Sequence, residues 1–149
     1  MRAPGAPRHI LVATDGSRLS LRAVRVAAAL AKACGARLTG LHVVAPYFEA
    51  GRNAAVAALP GFRRAVERAA EGALRAFVRE TRGLGESAHA VSVVGGEPWK
   101  DILRVARARR CDLIVMASHG RSGLAGVLLG SETRKVLTHS RIPVLVCRS

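Results

Sequence analysis

The chain has 149 residues, 50% of them apolar but only 3% aromatic, so the expectation is one domain with a core of Ala, Val, Leu and Ile that folds without disulfides or metal. No stretch reaches the ~20 apolar residues of a membrane span, and the opening MRAPGAPRHILVATDGS lacks an apolar signal core before its first strand, which predicts a cytoplasmic protein with no membrane partner. The net charge of +14 is that of many nucleic-acid binders, but its arginines are spread along every predicted helix with no aromatics between them, so they read as solvated faces and not as a phosphate-binding patch.

His9 to Thr14 is an apolar run of strand length ending in Asp15-Gly16-Ser17, where Ser17 can cap the helix that follows to about Cys34, with Gly35 closing it. Arg37 to Val44 is the second strand. Residues 45–60, with Pro46, Gly51, Asn53 and Pro60, form the one long connection, with room for a short helical piece in AAVAAL. Phe62, Ala65, Val66, Ala69, Ala70, Ala73, Leu74, Phe77 and Val78 then recur at helical spacing and predict a core-facing amphipathic helix. Ser87 to Val94 is a third strand, Gly95-Gly96-Glu97-Pro98 a turn, and Pro98 suits the first position of a helix running to Arg110. Asp112 to Ser118 is a fourth strand, apolar enough to be covered on both faces. A glycine-rich loop, a helix from about Ser131 to His139 and a fifth strand, Ile142 to Cys147, complete the chain.

This alternation predicts an α/β fold, a doubly wound five-stranded parallel sheet with helices on both faces, in a single domain over 1–149. Ligands of such sheets bind beyond the carboxyl ends of the strands, where the order reverses. Two segments there carry suitable groups: residues 13–17 and the run MASHGRSGLAGVLLGSET from Met116 to Thr133. In the second, Gly120 and Gly130 are separated by nine residues, and Gly130 is followed at once by Ser131 and a helix. Glycines admit phosphate oxygens close to the backbone, and the free N–H groups of a helix start favour negative charge. His119 and Arg121 are further candidates for phosphate contact. An ordinary glycine-rich turn is the bland alternative, as a turn residue is for Asp15. His42 is expected to be half-buried and satisfied. Trp99, spaced helically with Ile102 and Leu103, reads as packing, and His9 and His139 carry no signal. The three cysteines, Cys34, Cys111 and Cys147, form no CxxC pair and read as buried free thiols of a reducing compartment.

HILVATDGS at the start, LHVV on the second strand, GEPWKDIL, CDLIVMASHGR on the fourth strand and IPVLVCR at the end together resemble the universal stress protein family, whose ATP-binding members carry G-x2-G-x9-G-[ST] after the fourth strand. The resemblance implies a sheet ordered 3-2-1-4-5, a homodimer formed through the last strand, and ATP as the ligand, with Mg²⁺ as a possible companion. It places Asp15 on the ribose hydroxyls, the backbone of Ala13, Thr14 and Val43 near the adenine, and Met116 beneath the base. Gly120, Gly130, Ser131, Glu132 and Thr133 surround the phosphates. The first glycine of the pattern is Ala117 here, whose methyl either crowds the ribose or is accommodated by ordinary dihedral angles. Glu132 either turns outward or holds Mg²⁺, since a carboxylate facing the triphosphate repels it. There is no GxxxxGK[ST] loop, no metal-ligand cluster and no nucleophile with an evident base, so slow hydrolysis is the most catalysis expected. A dimeric interaction module of the same fold that binds no nucleotide is the competing reading.

Overall fold

A computed structural model describes residues 5–120 and 129–148. Strands β1 (His9–Ala13), β2 (Arg37–Val44), β3 (Ala88–Val94), β4 (Leu113–Ala117) and β5 (Val144–Cys147) form one parallel sheet in the order β3-β2-β1-β4-β5. The helices are α1 (Arg18–Cys34), α2 (Pro46–Glu49), α3 (Ala54–Ala58), α4 (Pro60–Glu80), α5 (Pro98–Ala108) and α6 (Ser131–His139). α1 and α4 cover one face of the sheet, and α5 and α6 cover the other. The expected class, strand number and order are all present.

Local chemistry explains the boundaries. Ser17 Oγ accepts the Ser20 N–H, and Gly35 takes the left-handed conformation with φ of 61°, which closes α1 on the Ala31 and Lys32 carbonyls. Ala23, Val24, Ala27 and Ala31 then form its buried stripe. The stripe of α4 is narrower than its periodicity predicts: Val66, Ala70, Ala73, Ala76 and Phe77 are buried, whereas Ala65 and Val78 face solvent. The Phe77 ring packs directly on Gly40 of β2, which has no side chain. A Cβ there would overlap the Phe77 ring.

The third strand starts at Ala88 because residues 82–87 wind into a 3₁₀ turn, and the fifth starts at Val144, after Pro143. α2 is an additional element within the long connection, and Pro46 initiates it directly after β2. Cys111 and Cys147 are buried as expected, but Cys34 at the end of α1 is only partly so. Burial pushes the Cys111 thiol up to about 11, which leaves it protonated and unreactive.

At the amino-terminal edge of the sheet, opposite the ligand end, His9 has a structural role that the sequence did not reveal. Its Nδ1 donates to the Arg109 carbonyl at 3.0 Å, so the neutral ring presents Nε2 as the acceptor for Thr39 Oγ1 at 2.8 Å. Burial, reinforced by Arg37, holds this imidazole below its ordinary value of 6.5. The folded state therefore binds the proton less readily than the unfolded chain. Its contribution is intact above pH ~6.5 and declines as the pH falls through the folded value. Thermal unfolding of the wild type should accordingly occur at lower temperature at pH 5 than at pH 7.5, and His9→Gln should flatten that difference. Equal slopes for the two proteins would contradict the assignment.

Candidate functional site

The sheet order reverses between β1 and β4, and there residues that follow the two strands line a crevice of about 700 Å³. The structure brings Ala13, Thr14, Asp15, Val43, Met116, Ala117, His119, Gly120, Gly130, Ser131, Glu132 and Thr133 to its walls. Arg121 lies outside the described residues. The two segments singled out in the sequence meet directly, since a Cβ on Gly120 would fall 2.6 Å from Asp15 Oδ2. The crevice is also lined by Leu41, His42, Phe48, Glu49, Pro98 and Ile102, which the sequence did not flag.

Asp15 combines both of its readings. Its Oδ1 accepts the Ser17 N–H at 2.9 Å, which sets the turn into α1, while Oδ2 lies on the Gly120 side. Thr14 Oγ1 is hydrogen-bonded to Ser20 Oγ at 3.1 Å and receives the Gly16 N–H at 3.2 Å. His42 departs from expectation: it is buried, not half-buried. Its Nδ1 donates to the Thr14 carbonyl at 2.9 Å, and Nε2 has no hydrogen-bond partner among the described residues.

The other end of the crevice is the start of α6. Gly130 has φ −65° and ψ 156°, extended backbone open to any residue, so space and not conformation accounts for glycine. A Cβ there would lie 3.2 Å from His119 Cα and 3.3 Å from the Ser118 carbonyl oxygen. The Gly130 N–H itself donates to that carbonyl. Among the described residues, the first-turn N–H groups of Ser131, Glu132 and Thr133 and the Ser131 hydroxyl are the donors at this helix start that could meet an anion. The Thr133 hydroxyl is buried and donates to the Ala117 carbonyl at 2.8 Å, so it clamps α6 to the end of β4.

Both sequence concerns have a geometric answer. Ala117 is a strand residue without positive φ, and it belongs to the buried cluster with Val115 and Cys147 beneath α1. The Glu132 carboxylate is engaged within the protein: its Oε2 accepts the Trp99 N–H at 2.9 Å, and its Oε1 meets Lys135 Nζ at 3.2 Å. Among the described residues no group of three or more His, Cys, Asp or Glu side chains is arranged to hold a metal ion.

An open doubly wound sheet with a crevice between the first and fourth strands and a helix start at one end defines an α/β protein whose crevice lies where ligands of such sheets bind. The sequence profile of the universal stress protein family matches residues 7–148, and the chain belongs to that family. It is 33% identical over 141 residues to a universal stress protein of Thermus aquaticus, covering 95% of this chain and 98% of that one. Among solved structures it is similar to universal stress protein UspA from Lactobacillus plantarum, with TM-score 0.78, 26% identity and coverage of 95% and 97%. It is also similar to a universal stress protein solved in complex with cAMP, with TM-score 0.68, 28% identity and coverage of 97% and 98%. Among the described residues no helix is long and apolar enough to cross a membrane.

Proposed function

We propose that this protein binds an adenine nucleotide in the crevice, with ATP as the ligand, and acts as a regulatory or protective protein of the stress response and not as an efficient enzyme. The observation that carries the reading is the meeting of Asp15 with the Gly120 and Gly130–Ser131 segment across one cavity. The cAMP complex of a relative supports a nucleotide as the class of ligand. In this reading Ala13, Thr14 and Val43 border the adenine, Met116 lies beneath it, and Asp15 accepts from the ribose hydroxyls. The first turn of α6 takes the phosphates, with His119 and Arg121 as supplementary contacts. A cytoplasmic location accords with this role. A thermal-shift titration with Mg-ATP tests the reading: a concentration-dependent rise in unfolding temperature is expected, and no rise at millimolar ligand counts against it.

We further propose a homodimer paired through β5. This strand is the sheet edge next to β4, and Leu145 on it is 38% exposed. Val144 on the same strand packs against the core under α5, so a charge there perturbs folding as well. Leu145→Lys is the cleaner variant. Light scattering should show a dimer for the wild type and a monomer for Leu145→Lys, whereas a monomeric wild type at micromolar concentration removes the proposal.

A further inference from the structure

We propose that Glu132 is a positioning residue: its carboxylate caps the start of α5, fixes the first turn of α6 against it and keeps the negative charge of Glu132 off the phosphates. The inference rests on the nucleotide reading above for its consequence, but the cap itself is a property of the fold.

The first turn of α5 lacks a local side-chain cap. Pro98 has no N–H, and the Lys100 and Asp101 N–H groups both reach the Glu97 carbonyl, at 3.0 and 3.2 Å. The Trp99 N–H is the donor that remains. Glu97 does not cap it, because its carboxylate accepts from Trp99 Nε1 at 2.9 Å and pairs with Lys100 at 3.3 Å and with Arg52 at 3.9 Å. These partners, Lys100 foremost, hold the Glu97 carboxyl below the usual range, as suits a group engaged as an anion. The missing acceptor comes from 33 residues away, as Glu132 Oε2 at 2.9 Å.

The same two helices meet again at the far end of α6, where His139 stacks on the Trp99 ring with centroids 4.7 Å apart. Helix α6 is thus attached to α5 at its first and last turns, through the backbone and the ring of one residue. Because Glu132 Oε1 also meets Lys135, each carboxylate oxygen is engaged by a donor of the protein, one a backbone N–H and the other a cation. The N–H groups of the first turn of α6 keep their partial positive charge for the ligand.

Amide hydrogen exchange of full-length wild type, Glu132→Ala and Glu132→Gln, with calorimetric titration of each by ATP and adenosine, tests this. In Glu132→Ala the Trp99 amide should lose about tenfold or more in protection, and ATP should bind about five- to tenfold more weakly while adenosine is unchanged, the scale expected for loss of a helix cap. Glu132→Gln, whose amide oxygen can still accept, should stay within about twofold of wild type in both measurements. If Glu132→Ala fails to fold, Glu132→Asp, one methylene short of Trp99 with the charge retained, takes its place with the same expectation. An unchanged Trp99 amide in the variant overturns the proposal. Tighter ATP binding with adenosine unchanged also overturns it, because the carboxylate then faces the phosphates. A wild type that binds no ATP refutes the nucleotide reading instead, and the exchange of Trp99 still decides the cap.

Discussion

Replacing Gly130 with valine should weaken ATP binding by about a hundredfold or more while leaving adenosine close to the wild-type value. The reason is local. With only 3.2 Å between a Cβ at this position and His119 Cα, and 3.3 Å to the Ser118 carbonyl oxygen, a branched side chain has nowhere to go unless the start of α6 moves outward. That movement carries away the N–H groups of Ser131, Glu132 and Thr133 together. Each charge-assisted hydrogen bond is worth ~1.5–3 kcal/mol, so two of them account for the expected factor. Gly130→Ala, which demands a shift of only a few tenths of an ångström, should fall between the two. Calorimetry with ATP, ADP and adenosine reads the outcome, and an equal loss for all three ligands contradicts a phosphate-specific role.

Asp15→Ala should fail differently. It removes a charged acceptor for the ribose hydroxyls at a cost of ~1.5–3 kcal/mol, which lowers the affinity for adenosine and ATP alike by roughly ten- to a hundredfold. In ATP part of the loss is offset, because a negative charge near the triphosphate disappears as well. The substitution also strips the acceptor from the Ser17 N–H and loosens the entry into α1. Asp15→Asn separates the effects, since the amide oxygen still supports the turn while the charge is gone. An Asp15→Ala variant that folds and binds adenosine as the wild type does would show that the ribose lies elsewhere.

The fold was legible because the periodic signals agree with one another. Short apolar runs at β1, β2 and β4 are bounded by turn residues, and the capping residues Ser17 and Gly35 sit at the observed ends of α1. The boundaries that slipped have local causes: the 3₁₀ turn before β3, Pro143 before β5, and Ala65 and Val78 at the outer margins of the α4 stripe. Proximity of the two glycine and aspartate segments was legible only through the strand order, which the resemblance supplied. No propensity in the sequence links Glu132 to Trp99, His9 to Thr39, or His42 to the Thr14 carbonyl, because each pair joins elements brought together by the crossovers. A hint was present for the first. Pro98 marked a helix start whose preceding residue, Glu97, is a weak cap, and that start needed an acceptor from elsewhere.

The measurement that bears most directly on the proposed function is calorimetric titration of the wild-type protein with ATP, ADP and adenosine under one set of conditions. The account predicts one nucleotide per chain, with affinity falling from ATP through ADP to adenosine as phosphate contacts at the start of α6 are withdrawn. Failure of all three to bind at millimolar concentration would contradict it and leave the dimeric interaction module as the better description of this chain.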